Sequence, residues 1–141
     1  MEWQIARDAL DAIRAHADRA APQEACGLLL GPHAEGLQPA ERVMIGEARA
    51  TANVSDRPAT NFEIDPQALF RAHREARGGG PRLLGYYHSH PNGCTQPSAI
   101  DAARAAPDGK LWIICASGIT GWIAGDAGLH GRFRPIKLLE T

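Results

Sequence analysis

The stretch RLLGYYHSHPNGCTQPSAID, residues 82–101, joins a strand pattern to a helix start through a short turn. Its first half is rich in leucine and tyrosine, which favour a buried β-strand. Pro91 and the Asn92-Gly93 pair end that strand, because these residues favour turns. A helix is then expected from about Ser98 to Ala106. The turn therefore brings the end of the strand close to the start of the helix.

Two further segments have helix patterns. Residues 3 to 19 place Ile5, Ala9 and Ile13 on one face and charged residues elsewhere, which is typical of a helix packed against a core. The segment DPQALFRAHREARGGG begins with Asp65, a good N-cap, has proline at the first helical position and ends in glycines. We therefore expect two helices before the strand of residues 82–90. One lies near the N-terminus, and the other lies directly before that strand in the sequence.

Short apolar runs predict the other strands. They are ACGLLLG (residues 25–31), ERVMIGEA (41–48), KLWIICAS with TGWIAG as a hairpin (110–125), and LHGRFRPI (129–136). Strands and helices mixed along one chain indicate an α/β or α+β fold. We predict a single domain over residues 1–141, with a mixed central β-sheet flanked by two to three helices.

The composition argues against several classes of protein. Lys and Arg total 15 against 16 Asp and Glu, a net charge of -1, so neither nucleic acid nor a membrane is expected as a partner. The three cysteines contain no C-x-x-C pair, which fits neither a disulfide scaffold nor a thiolate zinc ribbon and indicates a reducing compartment. No apolar segment suits a signal peptide or a membrane span. A cytoplasmic protein is the expectation.

Two histidines share one face of the strand end. In an extended chain, His88 and His90 project from the same side, with Ser89 on the other. Asp101, one turn into the following helix, can point toward the same place. Two imidazoles and one carboxylate provide three protein ligands, which leaves the fourth tetrahedral position of Zn2+ for water, as in catalytic zinc sites. The pattern predicts one zinc ion per chain.

Each pattern also has another interpretation. Ser98-x-x-Asp101 is a capping box, in which the serine accepts a hydrogen bond from a first-turn amide and the acid reaches back. A lone His-x-His pair can face solvent or bond to the backbone. Two histidines and a carboxylate also match the facial triad of mononuclear iron enzymes. We expect surface or packing roles for the remaining histidines, which are His16, His33, His73 and His130.

The spacing H-x-H, seven residues and then S-x-x-D resembles the signature of the JAMM (MPN+) zinc metalloproteases. That family also has a glutamate well upstream, and PQEACGLLLG supplies Glu24 at that place, while FEIDP and GYYHSHP resemble the family too. The resemblance implies an MPN-like domain in which His88, His90 and Asp101 hold zinc. It also implies that Glu24 is the general base and then the general acid, and that Ser98 stabilises the oxyanion.

The resemblance implies a substrate as well. Members of the family cut at the C-terminal glycine tail of ubiquitin or ubiquitin-like proteins, and compact bacterial members act on small sulfur-carrier proteins and release cysteine or another residue. The short spacing between His90 and Ser98 leaves little room for the insertions with which larger relatives grip ubiquitin. A small ubiquitin-like or sulfur-carrier protein is therefore the predicted partner. A catalytically silent MPN-type scaffold is the alternative function. The sequence leaves open whether the protein forms a homodimer.

Overall fold

A computed structural model describes residues 2–32 and 42–141 of the chain. Over these residues the elements are, in order, β1 (Glu2–Ile5), α1 (Arg7–Ala20), β2 (Cys26–Gly31), β3 (Arg42–Ile45), β4 (Glu47–Thr51), α2 (Pro66–Arg77), β5 (Arg82–Ser89), α3 (Ala99–Arg104), β6 (Leu111–Cys115), β7 (Ile119–Leu129), β8 (Phe133–Ile136) and β9 (Leu138–Glu140). None of the helices described here has the length and apolar character needed to cross a membrane.

The strands form two sheets. The larger sheet has six strands in the order β4-β2-β5-β6-β7-β8. Its β5 and β6 are parallel, and the other neighbours are antiparallel. The smaller sheet has three parallel strands in the order β3-β1-β9. The predicted mixed central sheet with two to three helices is confirmed, whereas the second sheet was not predicted.

The helix predicted over residues 3 to 19 is wrong at its start. Residues Glu2–Ile5 form β1, and α1 begins only at Arg7. β1 pairs with Arg42–Ile45 on one side and with Leu138–Glu140 on the other. Because both partner strands lie far along the chain, apolar spacing within the first twenty or so residues carries no information about this pairing.

The single strand predicted over residues 41–48 is in fact two strands. β3 belongs to the smaller sheet and β4 to the larger one. Between them, Gly46 donates its amide to the carbonyl of Leu30 at 3.0 Å, which holds the crossing point against β2. Residue 41 and the histidine at position 33 lie outside the described residues, so the predictions made for them are not addressed by the structure.

The faces of the larger sheet determine where the histidines point. Side chains alternate along β5, so Tyr87 packs on the side of α1 and Tyr86 packs on the side of α2. His88 shares the α2 side, where its ring contacts Phe62 and Trp112. The apolar layer between the sheet and α2 therefore encloses the first of the two histidines.

The parallel pair β5 and β6 approaches closely at Gly85, which lies opposite Leu111. A Cβ at position 85 would collide with the backbone carbonyl of Leu111, so only glycine fits there. The pairing continues past the end of β5, where the amide of His90 donates to the carbonyl of Cys115 at 2.9 Å. β6 therefore keeps the chain extended as far as His90.

Candidate metal centre

The end of β5 presents two imidazoles side by side. The Nε2 atoms of His88 and His90 lie 3.0 Å apart. Both side chains are buried, with exposed fractions of 0% and 6%. The extended backbone places them on one face because it is held between Ala25 and Cys115: the Ser89 amide donates to Ala25 and the His90 amide to Cys115.

The first turn of α3 brings a carboxylate to the same place. Ser98 is the N-cap, and its Oγ accepts from the amide of Asp101 at 3.0 Å, while Asp101 Oδ2 accepts from the amide of Ser98 at 2.9 Å. The predicted capping box is confirmed. The same Oδ2 atom lies 3.1 Å from the Nε2 atom of His88 and 3.1 Å from that of His90. The cap therefore also aims the carboxylate.

The three atoms form a nearly equilateral triangle that suits a tetrahedral cation. Their separations are 3.0, 3.1 and 3.1 Å. In a tetrahedral zinc site with bonds of about 2.0 to 2.1 Å, the ligand atoms lie about 3.3 Å from one another. The observed triangle is therefore only slightly smaller than one face of such a tetrahedron. The donor set of two nitrogens and one oxygen, all buried, fits Zn2+ in its chemistry as well.

The two imidazoles are oriented by different means. His90 donates from Nδ1 to the carbonyl of Cys94 at 2.8 Å, which leaves the lone pair of Nε2 facing the centre. The Nδ1 atom of His88 is buried and has no hydrogen-bond partner among the described residues. Its ring instead stacks on Phe62, with centroids 4.3 Å apart and planes at 21°. Sequence reasoning missed Phe62, although the FEIDP motif contains it.

The protonation states follow from burial and from the contacts within the cluster. Burial lowers the pKa of His88, which favours the neutral imidazole. Burial by itself would raise the pKa of Asp101, but its close contacts with the imidazoles of His88 and His90 outweigh burial and hold that pKa well below its usual range. A neutral imidazole and an ionised carboxylate are the forms that bind metal ions.

Glu24 completes the cluster from the loop between α1 and β2. One ligand atom from each of Glu24, His88, His90 and Asp101 can be chosen so that all lie within 4.8 Å of one another. Burial is the main cause that raises the pKa of Glu24 to about 7; His90 opposes this shift and the charge of Asp101 adds to it. Its Oε1 atom has no hydrogen-bond partner among the described residues. A buried carboxyl with a free oxygen and a pKa near neutrality suits proton transfer.

The residue after Glu24 is fixed to β5 by two hydrogen bonds. The amide of Ala25 donates to Ser89 Oγ at 2.7 Å, and the amide of Ser89 donates back to the carbonyl of Ala25 at 3.0 Å. Ser89 is itself buried. Sequence reasoning assigned it no task beyond facing away from the histidines. In the structure it ties the glutamate loop to the strand that carries both imidazoles.

The loop between the histidines and Ser98 is anchored by β7 and its flanking turns. Side-chain donors bond to three alternate carbonyls of this loop: Ser117 to Gly93, Thr120 to Thr95 and His130 to Pro97.

The expectation of a surface or packing role for His130 therefore missed its bond to the residue before Ser98. His16 likewise bonds to the Tyr87 hydroxyl at 2.6 Å. Ser98 itself is half-buried.

The model of a protein family described as "Prokaryotic homologs of the JAB domain" matches residues 6–125 of the chain. A desampylase from Haloferax volcanii is 32% identical over 116 residues, which cover 79% of this chain and 78% of that protein. A probable TtuB-protein conjugate cleaving protease from Thermus thermophilus is 37% identical over 101 residues. That match covers 72% of this chain and 62% of the Thermus protein.

The fold also matches solved structures. A protein from Desulfitobacterium hafniense, solved in solution, superposes with a TM-score of 0.81 and covers 98% of this chain and 92% of its own. The two are 23% identical, so this likeness concerns the fold alone.

Proposed function

The chain belongs to the prokaryotic homologs of the JAB domain, and we propose that it hydrolyses the amide bond at the C-terminal tail of a small ubiquitin-like protein, with zinc as its cofactor. It is a JAMM-type hydrolase. The observation that carries the proposal is the buried cluster of Glu24, His88, His90 and Asp101. Three of these residues point ligand atoms at one another, and the fourth has a carboxyl oxygen free for a proton.

In this proposal His88, His90 and Asp101 hold the metal. When bound, Zn2+ polarises the substrate carbonyl and lowers the pKa of water from about 16 to near 7. Glu24 accepts the proton of the attacking water and passes it to the departing amine, which its pKa of about 7 allows in both directions near neutral pH. The burial of the cluster excludes bulk water and strengthens each of these interactions.

Ser98 stabilises the oxygen that becomes negatively charged when the carbonyl is attacked. Its Oγ already accepts from the amide of Asp101, so the hydroxyl hydrogen stays free to be donated elsewhere. Because the capping box fixes the position of Oγ, the hydroxyl does not have to reorganise during the reaction. Donors held in this way contribute about 3 kcal/mol to transition-state stabilisation.

The substrate class is supported by the relatives. One is called a desampylase and another a protease that cleaves TtuB-protein conjugates. Both names fit a protein substrate joined through an amide bond, and the resemblance of the sequence to JAMM proteases points to a ubiquitin-like tail. Within that class we propose a small sulfur-carrier protein, from which the enzyme releases cysteine or another attached residue.

Mass spectrometry of a carrier with a C-terminal adduct tests the proposal. The carrier is a small ubiquitin-like protein whose terminal glycine is joined by an amide bond to cysteine or to a lysine side chain of a second protein. Incubation with zinc-loaded protein is expected to remove the adduct, and the Glu24→Gln variant is expected to leave it in place. An unchanged carrier, together with cleavage of ordinary peptides, would overturn the substrate assignment.

Elemental analysis tests the metal. Protein purified without added metal is expected to contain about one zinc ion per chain, because two imidazoles and a carboxylate, with ligand atoms in a compact triangle, suit Zn2+. The same ligand types also occur in mononuclear iron enzymes. Iron in place of zinc, accompanied by oxygen consumption, would therefore contradict the hydrolase mechanism.

A further inference from the structure

The backbone of Glu24 is held by the segment of residues 52–64, which connects β4 to α2. The amide of Glu24 donates to the carbonyl of Pro58 at 2.7 Å. Its carbonyl accepts from the side-chain amide of Asn53 at 3.0 Å. Since Ala25 is bonded to β5 through Ser89, the glutamate is fixed by β5 on one side and by this segment on the other.

Asn53 uses every part of its side-chain amide. Its Nδ2 donates to the carbonyls of Glu24 and Asn61, both at 3.0 Å. Its Oδ1 accepts from the amides of Ser55 and Glu63, both at 3.1 Å. The two bonds to Asn61 and Glu63 hold the backbone on both sides of position 62. The Asn53 side chain therefore restrains Glu24 and residue 62 together.

Residue 62 is the phenylalanine that orients His88. Phe62 stacks on the His88 ring at 4.3 Å, and Trp112 meets both rings edge-on at 5.4 and 5.6 Å. A metal-binding histidine is normally oriented by a hydrogen bond at its second ring nitrogen. His88 has no such bond among the described residues, so the aromatic stack takes over that task.

We propose that Asn53 is a positioning residue that sets the proton-transfer group Glu24 and the metal ligand His88 relative to each other. It touches neither substrate nor metal, and it acts through the Glu24 carbonyl and through Phe62. The part that concerns Glu24 rests on the proposed function, whereas the part that concerns His88 requires only that the cluster binds zinc.

The main test is Asn53→Asp. Aspartate keeps the size and the acceptor oxygen but removes both donated hydrogen bonds. We expect kcat to fall about 10- to 100-fold with KM changed less than about twofold, and zinc affinity to fall about 10-fold, the range found for residues that orient metal ligands. Zinc affinity is measured by competition with a chromophoric chelator. An Asn53→Asp protein that binds zinc and turns over substrate like the wild type would overturn the proposal.

The matched control is Ser55→Ala. Ser55 lies in the same segment, and among the described residues its Oγ accepts only a local bond, from the amide of Arg57 at 3.1 Å. This variant is expected to keep zinc affinity, kcat and KM within about twofold of the wild type, because removing a short-range turn contact has a small effect. Equal losses in Ser55→Ala and Asn53→Asp would show that general loosening of the segment is responsible.

A double-mutant cycle with Phe62→Leu separates positioning from folding. Leucine keeps apolar bulk but removes the stacking on His88. If Asn53 acts through Phe62, the double variant has about the same zinc affinity as the single variant with the lower affinity. If the two residues act independently, the losses of zinc-binding free energy add. Additive losses, or wild-type zinc affinity in Phe62→Leu, would reject the link to His88. The cycle uses no substrate, so it gives its answer even if the wild type cleaves no carrier and the proposed function fails.

Discussion

The two halves of the candidate centre are built in different ways. His88, His90 and Asp101 lie within 13 positions of one another, and strand alternation and a capping box bring them together. Glu24 reaches them through segments that are far apart in sequence, with a separation of 64 positions between Ala25 and Ser89. The local half depends on backbone geometry, and the distant half depends on tertiary hydrogen bonds. The two halves should therefore fail differently when they are altered.

The largest effect is expected in the local half, at Asp101. Asp101→Ala removes a proposed ligand and one arm of the capping box, so we expect zinc content to fall toward zero, hydrolysis to become undetectable and the protein to lose about 1 kcal/mol of stability. Asp101→Asn is the matched control, because its carbonyl can still accept from Ser98. It should lose zinc but keep most of that stability, as measured by metal analysis and thermal unfolding. A zinc-loaded, active Asp101→Ala protein would contradict the ligand assignment.

In the distant half, Glu24→Gln should separate chemistry from metal binding. The amide cannot take up the proton, so kcat is expected to fall about 100- to 10,000-fold. Zinc content and the thermal unfolding midpoint should stay near those of the wild type, since the backbone bonds of Glu24 are kept. Comparing kcat with zinc content in the same preparation checks this. Loss of zinc in this variant would mean that Glu24 is a ligand rather than a proton carrier.

Ser98 allows its two tasks to be measured apart. Ser98→Ala should lower kcat about 100- to 1000-fold and cost about 1 kcal/mol of stability, because hydroxyl and cap are both lost. Ser98→Gly removes the hydroxyl as well, but glycine is a tolerated N-cap and costs only about a few tenths of a kcal/mol. Equal kcat values with unequal stabilities are the expected pattern. Wild-type kcat in either variant would remove Ser98 from the mechanism.

The smallest effect on kcat is expected at Ser89, which links the two halves. Ser89→Ala leaves the buried amide of Ala25 without its acceptor, which is expected to cost about 1 to 3 kcal/mol of stability. Because Glu24 adjoins that amide, kcat should fall more than zinc affinity does. Ser117→Ala, which removes an exposed bond to Gly93, is the control and should change stability by less than about 0.5 kcal/mol. Equal stability losses in both variants would argue against the special role of Ser89.

Much of the fold was predictable where the signal is local. The N-cap at Asp65 with Pro66 after it predicted α2, and the apolar runs predicted β2, β5 and the hairpin of β6 and β7. The smaller sheet was not predictable, because β1, β3 and β9 are short and come from three distant parts of the chain. β9 had no separate strand signal at all. The extent of the domain and the roles assigned to the five site residues stay predictions.

The sequence alone determined which groups are candidates for the reaction and the geometry of the local half. Strand alternation sets where two histidines two residues apart point, and the capping box sets where Asp101 points. Only the tertiary structure decided what holds Glu24 and His88 in place. Asn53, Phe62 and Ser89 act through hydrogen bonds and ring stacking between distant segments. Such contacts follow from how the elements pack, and no periodicity or motif spacing in a single sequence records them.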